Sequence, residues 1–86
     1  MISLERWKNL SLRDQIGHIG SEIKRAILAK NRNSFFQIIE TALALVDLSL
    51  SDSRWRTNSL PLLVLRQELA KAYTGQIDLE NIYKAL

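Results

Sequence analysis

The sequence predicts an all-α fold, a small up-down bundle of three or four helices with short terminal helices packed across it. Three observations predict it. Only three glycines and one proline punctuate 86 residues rich in Leu, Ile and Ala, and runs of β-branched residues are nearly absent. Apolar residues recur every three or four positions, the period of one helix face. The polar stretches between periodic segments are short, which makes neighbouring helices antiparallel. A chain of this length supports one domain, 1–86, whose core buries roughly 60–70% of the unfolded surface.

In SLRDQIGHIGSEIKRAILAK the residues Leu12, Ile16, Ile19, Ile23 and Ala26 form one amphipathic stripe that Ile27 widens. Ser11 followed by Asp14 has the form of a capping box, a hydroxyl on an early amide and a carboxylate at the positive end of the dipole, so the helix should begin at Leu12. KNRN reads as a polar turn, and Ser34 with Gln37 repeats the start signature before a second helix. There Phe35, Phe36, Ile38, Ile39, Ala42, Leu43, Leu45 and Val46 occupy about half the wheel at ~100° per residue, a width that places this helix centrally. The next segment, SDSRWRTNSLP, has two readings. Asp52 or Ser53 caps a helix that runs through Pro61, or Asn58 or Ser59 caps one that starts just before it, where proline is tolerated. Either way Leu62, Leu65, Leu69, Ala72 and Tyr73 point inward and the helix stops near Gly75. Last, Asp78 caps a short helix, with Ile77 and Ile82 as a hydrophobic staple.

The chemistry narrows mostly by exclusion. With no cysteine and one histidine, the chain offers no disulfide, thiol nucleophile or zinc site. No Glu-x-x-His pair supports a di-iron bundle, and Glu22, Glu40 and Glu68 read as surface charges. No cofactor is expected. Charges at Glu5, Arg6, Lys8, Arg13 and Asp14 interrupt any apolar run that a signal peptide or membrane span would need, so the expectation is a cytoplasmic protein with no membrane partner. A net charge of +3 permits an acidic partner without requiring one.

Gly17 and Gly20 within one helical turn cost roughly 0.5–1 kcal/mol each relative to alanine, which points to close approach of another backbone at Gly20. The echo of RWKNLSL at 6–12 in RWRTNSL at 54–60 is too short to argue duplication but brings similar chemistry to one end of an antiparallel bundle. Arg6, Trp7, Lys8, Arg54, Trp55 and Arg56 are the candidate anion or nucleic-acid contacts, cations beside rings on which bases stack. Glu5, Asp14, Asp47 and Asp52 fall at the same end and reduce its field, so the competing reading has the indoles plugging the bundle while arginines pair with these acids.

RDQIGH resembles the arginine, polar residue, spacer and histidine pattern of helical ribonucleases of the HEPN type. That resemblance implies His18 as general acid or base and Arg13 as the phosphate holder. The pattern here lies in the first long helix, whereas the family carries it late in a longer chain, and a separation of five sets the side chains ~140° apart on one helix, so that a dimer would be needed to aim both at one substrate. A second resemblance spans most of 7–75. WKNLSLRDQI, HIGSEIKRA, FFQIIETALALVDL, DSRWR and LVLRQEL are similar to a group of small, uncharacterised bacterial helical-bundle proteins. It implies that IGSEI and LRQEL belong to a recurrent helical scaffold and brings no activity with it; Pro61 departs from that pattern.

These readings converge on a non-enzymatic helical protein-interaction module that self-associates, because 47% hydrophobic residues exceed what a small bundle covers. Phe35, Ile38, Leu45, Leu62 and Leu69 are the expected interaction surface. The alternative is nucleic-acid binding, or HEPN-like cleavage, at the basic tryptophan end.

Overall fold

The computed structural model describes residues 3–75 and 79–85. The described residues form α1 (Leu4–Lys8), α2 (Leu12–Ile27), α3 (Arg32–Leu50), a 3-10 helix (Ser53–Asn58), α4 (Leu60–Tyr73) and α5 (Leu79–Ala85), with no strand among them. This is the small all-α bundle that the periodicity predicts.

Each start has a local cause. Ser3 accepts from the Arg6 amide at 3.3 Å and opens α1. Ser11 accepts from the Asp14 amide at 3.0 Å, so α2 begins at Leu12 as expected. The start of α3 differs from the expectation. Asn31, not Ser34, is the cap, its Oδ1 accepting from the Ser34 amide at 2.8 Å, and the helix begins at Arg32. Asparagine caps as well as serine does, and the earlier start adds three residues, Arg32 to Ser34, to the helix. The 3-10 helix combines the two readings around Pro61. Asp52 caps Ser53–Asn58 through the Arg54 amide, and a separate α-helix begins at Leu60, with Pro61 in its first turn where no amide is needed. At its far end α4 gives way to Gly75 with φ +78, a left-handed conformation that glycine adopts freely.

The wide apolar face of α3 is explained by its neighbours. It lies between α2 and α4 and also touches α1 and the 3-10 helix, burying Ile39, Ala42, Leu45 and Val46. From α2 come Ile19, Ile23 and Ala26, and from α4 Leu62, Leu65, Leu69 and Ala72. On the remaining side α5 packs against α2 and α4 with Leu79 and Ile82 buried. Tyr73 corrects the inward reading of α4: it is exposed and its hydroxyl donates to Glu40 at 3.0 Å. Gly20 is buried in α2, while Gly17 is exposed with open space where a Cβ would sit, so Gly17 marks no close approach. The Asp78 cap and Ile77 of the staple lie outside the described residues. Among the described residues no helix is long and apolar enough to cross a membrane.

Candidate functional site

The antiparallel order brings the starts of α2 and α4 and the end of α3 to one end of the bundle, where the two tryptophans meet. Trp7 on α1 is 1% exposed and Trp55 on the 3-10 helix 8%. The Trp7 indole Nε1 donates to Ser49 Oγ at 2.9 Å, and the Ser49 hydroxyl donates onward to the Leu45 carbonyl at 3.0 Å. The Trp55 indole Nε1 donates to Gln15 Oε1 at 2.7 Å. Gln15, itself fully buried, turns its amide nitrogen to the Trp7 carbonyl and to Asp52 Oδ2, each at 3.0 Å.

Asp52 is the buried charge of this network, and Arg54 carries the compensating charge out to the surface. The Arg54 Nε lies 3.1 Å from both carboxylate oxygens, and its terminal NH2 is 2.6 Å from Oδ2. The same nitrogen donates to the carbonyls of Lys8 and Leu10 at 2.8 and 2.7 Å, clamping the turn between α1 and α2 to the turn after α3. Hydrogen bonding from the Arg54 guanidinium holds the Asp52 carboxyl well below the usual carboxylate range; burial opposes this, while the Arg54 amide and Gln15 add to it. The Arg54 guanidinium is correspondingly raised by the Asp52 carboxylate. Among the described residues no buried side-chain nitrogen or oxygen lacks a partner. The network is therefore a closed clasp in which every buried side-chain donor and acceptor has a partner within the chain.

This geometry decides what the basic tryptophan end can offer. Trp7 and Trp55 are packed in the core and their N–H groups are occupied, so neither ring presents a stacking face to a base. Arg54 is engaged, whereas Arg6, Lys8, Arg13 and Arg56 are exposed. Of the acids expected there, Asp52 pairs with Arg54 and Asp47 with Arg66 at 2.7 Å, while Glu5 and Asp14 are exposed. The competing reading, indoles plugging the bundle end with an arginine on a neighbouring acid, describes the geometry. Both tryptophans of the sequence echo are buried with their indole N–H groups bonded, Trp7 to Ser49 and Trp55 to Gln15.

Arg13 and His18 are both exposed on α2, and no hydrogen bond or ring contact joins them among the described residues. The His18 ring instead leans on Trp7, centroids 5.9 Å apart at 57°. A ribonuclease pair needs both groups on one reacting phosphate, and five positions along α2 set them ~140° apart around the helix of a single chain. No group of three or more potential metal ligands occurs among the described residues. Glu22 is bonded to Arg25, Glu68 to Lys71 and Glu40 to Tyr73.

The expected interaction residues are corrected by their burial. Leu62 and Leu69 are fully buried and Leu45 is 6% exposed, so they hold the core within one chain; Phe35 and Ile38 are half-buried against it. The apolar surface left in water lies elsewhere. Leu60 is 68% exposed, Leu63 49% and Val64 48%, all three on α4.

At the opposite end of the bundle, Phe36 packs on Phe35 and on Tyr73 at centroid distances of 5.6 and 4.8 Å, with the Arg32 guanidinium 5.9 Å over the Phe36 ring. These side chains border an open groove of about 470 Å³ that reaches Ala26 and Leu79. Comparison with protein-family models, with curated proteins and with solved structures finds no match to this chain.

Proposed function

We propose that this protein is a non-enzymatic helical module that works through protein contacts, self-association foremost. The observation that carries the reading is the second apolar face of α4. Leu62, Leu65 and Leu69 are spent in the core, yet Leu60, Leu63 and Val64 stand in water on the other side of the same helix. A solvated helix face ordinarily carries charged or polar residues, and contiguous apolar surface on a soluble domain ordinarily marks a contact site.

The state of the tryptophan end supports the same reading, because both indoles and Arg54 are engaged within the chain. Nucleic-acid binding there would rest on Arg6, Lys8 and Arg56 without a stacking ring, and cleavage would need Arg13 and His18 to meet across two copies. Sedimentation equilibrium tests the proposal. The weight-average mass should rise above that of one chain as concentration increases. A mass fixed at one chain over the whole accessible range removes self-association. His18→Ala should leave any RNA cleavage in the preparation unchanged; a loss tracking that substitution would restore the enzymatic reading.

A further inference from the structure

We infer that the groove at the ring-packed end of the bundle binds a small planar aromatic carboxylate, its ring against Phe36 and Tyr73 and its charge on Arg32. The inference goes beyond the self-association reading and does not rest on it, since the groove lies at the end of α4 and the exposed Leu60 at its start.

Three observations choose the ligand, and the first is room. The groove of about 470 Å³ falls within the roughly 300–1,000 Å³ of small-molecule sites. The ends of α2 and α4 and the starts of α3 and α5 all contribute to its walls. The second observation is the character of those walls. Phe35, Phe36 and Tyr73 stand along the groove, already in contact at 5.6 and 4.8 Å, so a further ring extends an existing cluster in the offset or edge geometry that aromatic groups prefer. The hydroxyls beside these rings are committed within the chain, Tyr73 to Glu40 and Thr74 to the Lys71 carbonyl. Recognition there reads a ring surface and a charge rather than a pattern of hydroxyl bonds.

The third observation is that charge. Arg25, Arg54 and Arg66 are each held by a carboxylate of the chain. Arg32 forms no ion pair among the described residues; its guanidinium rests 5.9 Å over the Phe36 ring, exposed, and it is the one cation among the described residues of the groove wall. Its N–H fork is therefore open to a carboxylate, which it matches with two parallel bonds. A single cation favours a monoanion. The acid on the described wall, Glu80, stands on α5, which packs on α2 and α4, and it disfavours a more highly charged phosphate.

Titration with β-naphthoate, followed through the backbone amides in nitrogen–proton correlation spectra, tests this site. β-Naphthamide, the same shape without the charge, and octanoate, the charge without a ring, are the comparators. Saturable shifts are expected at Ala26, Ala29, Phe36 and Gly75, with each comparator weaker by about fivefold or more. Arg32→Gln, at an exposed position, should weaken β-naphthoate about tenfold and abolish its advantage over the amide, with the helical circular dichroism unchanged. Equal affinity of carboxylate and amide for the native protein overturns the role of Arg32 and with it the site. Octanoate binding as tightly as β-naphthoate overturns the aromatic selection. Shifts that fail to saturate, or that centre on Leu60, Leu63 and Val64, overturn the location. A protein that binds β-naphthoate as expected while sedimenting as one chain keeps this site and loses only self-association.

Discussion

At the end of the bundle where α2 begins, two indoles, a glutamine, a serine and an ion pair satisfy one another through bonds of 2.6 to 3.0 Å that span three turns of chain. At the end where α2 stops, Phe35, Phe36 and Tyr73 meet through ring contacts beside a groove of about 470 Å³, and the one bond of Tyr73 there, to Glu40, is exposed. Directional bonds with buried partners admit one arrangement, because a shifted register strands a donor without water. Ring contacts tolerate sliding. The closed end therefore fixes Gln15 of α2 against Trp7, Asp52 and Trp55, and Ser49 of α3 against Trp7, while the ring-packed end is left to adapt.

Breaking the closed end should have the largest effect. Trp7→Ala empties the site of a side chain 1% exposed and strands the short α1, with an expected cost of about 3–5 kcal/mol. Phe36→Ala at the other end removes a half-buried ring and should cost about 1–1.5 kcal/mol. Urea denaturation of the two variants measures the difference directly, and equal costs would erase the distinction between the ends.

Next in size is the charge. Asp52→Ala removes the cap of the 3-10 helix, one acceptor of Gln15 and the partner of Arg54 together, at an expected cost of about 2–3 kcal/mol. The pH dependence carries the same information. Because the folded carboxyl is held below its ordinary value, its stabilisation is whole above the unfolded value of about 4 and drains away as pH falls toward the folded one. Acid titration of stability should fall more steeply below about pH 4 in the native protein than in Asp52→Ala. Parallel curves would mean that the Asp52–Arg54 bond contributes nothing in solution.

Much of this architecture is legible in the sequence, and the illegible part has a common cause. The stripes of α2, α3 and α4 follow from spacing alone, because a helix displays its own period. Gln15 and Ser49 are visible as polar residues on those stripes, three positions after Leu12 and Val46, which is the signal of a buried hydrogen-bonded group. Their partners are not visible, since the bonds join residues 37 to 42 positions apart. The outer face of α4 is obscured for a related reason. In LPLLVL nearly every residue is apolar, so the pattern does not say which leucines face the core until α3 and α5 are in place. Competition among equivalent caps, Asn31 against Ser34, is likewise decided by the turn rather than by the residue.

A smaller prediction runs against the contrast. Gly17 stands in α2 near the closed end, exposed and with nothing within 4 Å of the place a methyl group would take, so the tight clasp coexists with slack beside it. Gly17→Ala should stabilise by about 0.5–1 kcal/mol through the helix backbone alone. A destabilised variant would show that the clasp needs freedom in the turn next to Gln15.

The smallest effect tests whether the ring-packed end holds any directional bond at all. The Tyr73 hydroxyl donates to Glu40 at 3.0 Å, and ionising it would break that bond and set two negative charges side by side, so its pKa is raised above the ordinary value near 10. The stability this bond lends is whole below that ordinary value and is lost as pH climbs through the raised one. Because both groups stand in water, Tyr73→Phe should leave the urea midpoint close to that of the native protein. The ionisation is the sharper readout. In an alkaline absorbance titration, with the Tyr73→Phe variant identifying the signal, Glu40→Gln should move the Tyr73 midpoint downward. An unmoved midpoint would mean that α3 and α4 are joined here only by the tilted contact of the Phe36 and Tyr73 rings, which would make the asymmetry between the two ends larger still.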